Sequence, residues 1–267
     1  MSSPNSPFMA SVAAHLRVRR YSERTIKTYL YWIRYYIVYH NKQHPNELDG
    51  QHVEQFLSFL ANNRHVAAAT QKIALNALVF LYNRFLEQPL GDVSGFRRSR
   101  HQPKLPVVLT RLEIVKLLAE MRGVHHLLAS MLYGSGLRRI EAVRLRVNDV
   151  DLDLGQLRIW NGKGFKHRIT ALAPELSAAL KHQIQQVNLY LQADLEDPRF
   201  AGVYLPDALA RKYNSAGKSA GWQYLFPSRQ LSQQTGTGLW RRHYLDGSSV
   251  NKAIRHRRHC APALPNR

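Results

Sequence analysis

Tyr133-Gly134-Ser135-Gly136-Leu137-Arg138-Arg139-Ile140-Glu141 places an arginine directly after a tight glycine turn and at the opening of a helix. A guanidinium is a planar fork that binds phosphate oxygens in pairs. A helix start adds backbone N–H groups that favour anions. Glu141 falls three residues after Arg138, within reach of its guanidinium. The chemistry fits a phosphate site, and it equally fits a surface Arg–Glu pair. Arg139 competes with Arg138 for the phosphate role.

Downstream, Asn161-Gly162-Lys163-Gly164-Phe165-Lys166-His167-Arg168 reads as the tip of a hairpin between strands at Gln156 to Trp160 and Phe165 to Leu172. A lysine between glycines can swing into a neighbouring site, and an ammonium can donate a proton to a leaving alkoxide. The alternative is a basic turn that touches phosphates without proton transfer. Around these segments the period is helical. Thr110 and Glu113 form a capping box ahead of Ile114, Leu117 and Leu118. Helices are expected near Val124 to Tyr133, after Gly136, and from Pro174 to Leu191. A short strand is expected at Val150 to Leu154. Residues 193–221 read as irregular, with a helix at Pro206 to Tyr213.

Before the linker the sequence predicts a bundle of about four helices. Ser22 caps a helix with Ile26, Leu30, Ile33 and Ile37 inward. Asp49 caps a second with Val53, Phe56, Leu57 and Leu60. Thr70 starts a third with Ala74, Ala77, Leu78, Leu81 and Phe85, and another lies near residues 8–17. Arg24, Lys27, Tyr31, Arg34, Lys72, Asn76 and Arg84 lie off the apolar faces and are expected to contact DNA. Residues 91–106, with Arg97 and Arg98 among glycines and prolines, suit a strap along a phosphate backbone or a plain solvated linker.

Composition agrees with a nucleic-acid partner. The chain has 267 residues, enough for about two domains. Lys+Arg number 38 against Asp+Glu 18, a formal net charge of +20 that attracts polyanions. One cysteine, Cys260, excludes an internal disulfide and a Cys-rich zinc site. No apolar run reaches the roughly 18 residues of a membrane span, and the N-terminus has no signal-peptide pattern, which predicts a cytoplasmic protein with no membrane partner. Gly217-Lys218-Ser219 lacks the earlier glycine of a phosphate-binding loop, because Lys212 stands there. His125-His126 and the His256, His259, Cys260 group do not suggest a metal site.

G-x-G-L-R-x-x-E followed by G-K-G-x-K-x-R on a hairpin resembles the catalytic domain of tyrosine recombinases of the phage integrase family. The preceding helical segment is similar to their core-binding domain. The extra segment at about 194–228, with Ala210-Arg211-Lys212-Tyr213 and Trp222-Gln223-Tyr224-Leu225-Phe226-Pro227, is similar to the insertion of integron integrases, which recombine gene cassettes. The resemblance implies a mainly α protein with a small antiparallel β-sheet (α+β). It implies a core-binding domain at 1–90, a basic linker at 91–106, an incomplete catalytic domain at 107–255 and an aberrant basic tail at 256–267. It implies Arg138 as the first catalytic arginine, Lys163 as general acid, and Lys166 and Arg168 on DNA. No metal or other cofactor is needed. The partners implied are double-stranded DNA and folded single-stranded recombination sites, with a tetramer on DNA in the full-length family and impaired synapsis here.

The family then requires H-x-x-R and a tyrosine nucleophile near the C-terminus. After Ser248 to Arg255 this sequence continues His256-Arg257-Arg258-His259, with histidine in the arginine's place. None of the 13 tyrosines stands in the nucleophile's context, Tyr244 included. The expectation is a frameshifted or truncated chain that binds DNA without cutting it, with the face of Val250 and Ile254 left uncovered. A non-catalytic decoy or repressor, or a nonfunctional pseudogene product, is the alternative.

Overall fold

Ser22 accepts a hydrogen bond at Oγ from the Thr25 amide (3.1 Å) and starts α2 (Glu23–Tyr39), as its side chain predicts. In this computed structural model, which describes residues 6–99, 108–160 and 167–260, the chain divides into two units, Met1–Pro106 and Val107–Arg267. The fold is mainly helical with small antiparallel sheets.

In the first unit α1 (Pro7–Val18), α2, α3 (Gly50–Asn62) and α4 (Ala68–Phe80) enclose one core. Asp49 Oδ1 caps α3 by accepting from the amides of Gln51 (2.9 Å) and His52 (3.2 Å). Helix α4 starts before Thr70, with Ala67 at its N-cap, because the Ala67-Ala68-Ala69 run favours helix. It then loosens into a π-helical turn, Leu81–Leu86. Leu16, Ile33, Phe56, Leu57 and Leu78 are fully buried, each contributing about 1.5–3 kcal/mol of transfer free energy. Tyr36 is buried as well, its hydroxyl 2.9 Å from that of Tyr82, which donates to the Pro45 carbonyl (3.0 Å).

Residues 91–99 are tied to this bundle rather than free. The amide of Gly95 donates to Glu54 Oε1 (2.6 Å), that of Arg97 to Ser58 Oγ (3.0 Å), and that of Ser99 to Gln71 Oε1 (2.9 Å). Gln71 Nε2 donates in turn to the carbonyls of Leu57 and Arg97 (2.9 and 2.8 Å).

In the second unit Thr110 and Glu113 cap α5 (Arg111–Ala119) reciprocally. Helices α6 (Gly123–Gly134) and α7 (Arg139–Arg144) follow. A three-stranded antiparallel sheet comes next in the order β1 (Val150–Asp151), β2 (Gln156–Ile159), β3 (Arg168–Ala171), with Leu157 opposite Thr170. The Asn161-Gly162 turn lies outside the described residues. Helix α8 (Ser177–Glu196) leads to the extra segment with α9 (Asp207–Lys212), the two-stranded sheet β4 (Ser232–Gln233) and β5 (Trp240–Arg241), and α10 (Gly247–Cys260). Among the described residues no helix is long and apolar enough to cross a membrane.

The expectation of an uncovered α10 face is corrected here. Val250 is fully buried and Ile254 packs beside it against the core of α6, α7 and β2. Helices α5, α6 and α7 already bracket α10, so the apolar side of α10 is satisfied inside this unit.

Candidate functional site

Gly136 turns the chain into α7 with φ +59°, a conformation that favours glycine. Arg138 follows at the N-cap of α7 with extended backbone, so its side chain leaves the helix axis. Its amide donates to Glu141 Oε2 (2.9 Å) and its Nη1 to Glu141 Oε1 (2.8 Å). Arg168, at the start of β3, directs both Nη groups to the same carboxylate: Nη1 to Oε1 (2.8 Å) and Nη2 to Oε2 (2.7 Å). Thr170 Oγ1 donates to the Ser135 carbonyl (3.0 Å), so β3 also pins the turn itself.

Two guanidinium groups thus share one carboxylate, and the cluster carries net charge +1. The Glu141 side chain is 4% exposed, whereas that of Arg138 is 55% exposed. Arg168, helped by Arg138, holds the Glu141 carboxyl down at about 2 despite its burial. The arrangement leaves a half-exposed cationic fork over a locked base, which suits an oxyanion of phosphate. Arg139 points elsewhere: its side chain lies against Gly247 at the start of α10.

Lys163 and Lys166 fall outside the described residues. The arms on either side are described: Trp160 and His167 meet edge to face at 5.2 Å. Arg24, Lys27, Tyr31 and Arg34 line one exposed face of α2, at helical spacings of three and four. Lys72 and Asn76 are exposed on α4 and Arg84 on the π-helical turn, while Arg97 and Arg98 are exposed on the anchored segment.

Sequence reading missed Arg146. Its Nη1 donates to the Trp222 carbonyl (2.5 Å) and its Nη2 to that of Tyr204 (2.7 Å), while its guanidinium lies over the Tyr224 ring at 4.6 Å. It thereby fixes the extra segment to the end of α7. Asp149, three residues on, accepts from the Arg146 amide and from Trp160 Nε1 (2.8 Å each); burial raises its carboxyl pKa against these bonds. That acid at three-residue spacing was the available signal. Gly217, in the rejected phosphate-loop lookalike, crosses Gly202 so closely that a Cβ on Gly202 would sit 2.7 Å from the Gly217 backbone. Between α7, β2 and the extra segment lies a cavity of about 810 Å³, lined by Arg144, Trp160, His167, Tyr204, Trp222 and Tyr224 among others. Glu141 borders it too, so cavity and arginine cluster share one wall.

This fold and site define a class, and comparison with known proteins gives it a family. Residues 8–92 match the description "Phage integrase, N-terminal SAM-like domain" and residues 108–264 match "Phage integrase family". The chain belongs to the phage integrase family of tyrosine recombinases. It is 38% identical over 240 residues to an integrase/recombinase of Escherichia coli, covering 90% of this chain and 71% of the relative. It is 30% identical over 204 residues to the tyrosine recombinase XerA of Thermococcus kodakarensis, covering 73% of this chain and 68% of that one. Among solved structures, the XerH recombinase bound to its difH substrate aligns with a TM-score of 0.57 at 19% identity, over 97% of this chain and 68% of that chain. The Tn1549 transposon integrase with transposon right end DNA aligns at 0.60 and 14% identity, over 96% of this chain and 80% of that one. These structural likenesses speak for the fold.

Proposed function

We propose that the chain is a DNA-binding recombinase of the integron-integrase type, in which Arg138 clamps the scissile phosphate. The observation that carries this reading is the cluster at Glu141: one carboxylate, two guanidinium groups, and a half-exposed Arg138 at the foot of the hairpin. Lys163, which the sequence puts between β2 and β3 and which lies outside the described residues, takes the part of general acid for the leaving 5′ oxygen in this reading. In a full-length form of the family the reaction class is transfer of the phosphate to a tyrosine, which forms a 3′-phosphotyrosine and frees the 5′ hydroxyl. It relies on positioning and charge stabilisation.

DNA as the partner is supported by the net charge of +20 and by the basic face of α2. The XerH and Tn1549 structures, which hold DNA, have the same fold. The helical unit takes the core-binding role, residues 107–255 the catalytic role, and the intervening basic stretch the linker role. Cassette recombination at folded single-stranded sites is supported by the extra segment at about 194–228. It puts Tyr204 and Trp222 on the wall of a cavity of about 810 Å³, and aromatic faces stack on unpaired bases.

H-x-x-R occurs nowhere in the 267 residues. We therefore expect these residues to bind DNA without cleaving it. A nicked suicide substrate tests this: retarded migration with no covalent adduct on a denaturing gel is the expected result. An adduct would show a nucleophile among the present tyrosines. Equal retardation by the wild type and Arg138→Ala on a substrate whose phosphate at the cleavage position is left charged would remove Arg138 from its role.

A further inference from the structure

We infer that Arg168 is a positioning residue for Arg138, acting through Glu141 by controlling how much of the Arg138 fork the carboxylate can take. The inference rests on the reading that Arg138 receives the phosphate. A carboxylate and a guanidinium pair best one to one, through two parallel hydrogen bonds. Glu141 is buried, so it demands such a partner. Were Arg138 the sole candidate, the acid would take its whole fork and neutralise it. Arg168 prevents this. It occupies both oxygens of Glu141 at 2.8 and 2.7 Å, leaving Arg138 one side-chain contact, through Nη1. Among the described residues, Nε and Nη2 of Arg138 make no hydrogen bond, which keeps donors for an incoming phosphate.

The same strand carries a second tie. Thr170, two residues along β3, bonds the carbonyl of Ser135 in the turn ahead of Arg138. Turn, acid and the strand leaving the hairpin therefore move as one body. Arg168 sets the charge of that body at +1 rather than zero.

The test follows the Arg138 Nε–H resonance of the labelled 267-residue chain during titration with inorganic phosphate. Wild type should show a saturable shift. Arg168→Gln should weaken the apparent affinity about tenfold, the size expected for losing one charge-assisted contact. Arg168→Lys, which keeps the charge without the fork, should fall between the two. The double variant Glu141→Gln/Arg168→Gln is decisive: deleting the acid together with its partner frees Arg138 and should bring affinity back to within about threefold of wild type. A purely structural role for Arg168 predicts no such recovery. A double variant as weak as Arg168→Gln, or an Arg168→Gln chain that titrates like wild type, overturns the inference while leaving the phosphate site intact. Absence of any Arg138 response in wild type overturns the phosphate reading and the inference with it. If Arg168→Gln does not fold, the order of wild type, Arg168→Lys and the double variant decides the matter.

Discussion

Arg242 and Asp194 form a buried ion pair that joins β5 to the end of α8. Arg242 Nε donates to Asp194 Oδ2 at 2.7 Å, its Nη2 bonds Oδ1, and its Nη1 reaches the Ser228 carbonyl at 2.7 Å. The guanidinium also lies over the Tyr190 ring. Both side chains are almost without solvent contact. Removing one partner strands the other, which costs about 3–5 kcal/mol in buried pairs. Asp194→Ala should lose stability on that scale in chemical denaturation followed by tryptophan fluorescence. Trp160, Trp222 and Trp240 report from the same unit. Asp194→Leu/Arg242→Met should lose far less, since it leaves no buried charge. A single variant as stable as wild type would show that the pair does not hold the extra segment.

Acid sensitivity should trace partly to Glu141. Its carboxyl sits at about 2 in the folded chain, below the roughly 4.3 of an unfolded glutamate. The folded value is depressed, so its contribution is fully present above the unfolded value and is lost as pH falls toward 2. Asp197, also lowered to about 2, and Asp49 and Asp246 add to the same acid limb, so the difference between variants is the useful quantity. Glu141→Gln should be less stable than wild type at neutral pH, and the gap should close between about pH 4 and pH 2. A gap that stays constant down to pH 2 would mean that the carboxylate charge is not what Arg168 and Arg138 hold.

The face of α2 should act through phosphates. Arg24, Lys27 and Arg34 are exposed along one side of that helix and Tyr31 stands among them, 59% exposed. Each arginine or lysine changed to alanine should weaken binding to any duplex and lower the salt slope by about one. Anisotropy of a labelled duplex at several salt concentrations reads this directly. Thermal stability should barely move, because exposed substitutions usually fall within about 0.5 kcal/mol. An unchanged salt slope in the triple alanine variant would place the DNA on another face.

Helix positions were legible because local chemistry sets them. Ser22, Asp49 and the Thr110–Glu113 box cap the helices their spacing announces. The turn at Gly136 and the Glu141 spacing likewise pointed to a pairing of Arg138 with Glu141. What sequence could not give is long-range partnership. Arg168 reads as one more basic residue near a hairpin, yet it bonds an acid 27 residues earlier. Arg146 looks like any arginine until the chain returns 76 residues later with the Trp222 carbonyl. Val250 and Ile254 looked uncovered because their cover was assigned to later helices of the family pattern, whereas α5 to α7, more than a hundred residues back, cover them. Such pairings depend on which elements meet, and a period of 3.6 residues carries no record of that.

Gln71 should decide whether the basic segment after the bundle is held or loose. The side chain is 4% exposed and serves three backbone groups at once: the carbonyls of Leu57 and Arg97 accept from its Nε2, and the Ser99 amide donates to its Oε1. Arg97 and Arg98 expose their side chains, so they are trypsin sites by chemistry. Their backbone is tethered, and a protease needs that backbone extended and free. Gln71→Ala removes the tether and leaves buried groups unpaired, a cost of about 1–3 kcal/mol. Limited trypsin digestion should then cut at Arg97 or Arg98 about tenfold faster, in line with some 1.4 kcal/mol of easier local opening. Gln71→Glu should be cut faster still, because its carboxylate faces two carbonyls and has lost the donor that both of them used. The adjacent ties from Glu54 and Ser58 remain in both variants, so the bundle itself should stay folded and its tyrosine fluorescence unchanged. Cleavage at the wild-type rate in Gln71→Glu would show that those two ties, with the bond from Ser99 Oγ to the Val66 carbonyl (2.6 Å), suffice and that Gln71 does not hold the segment.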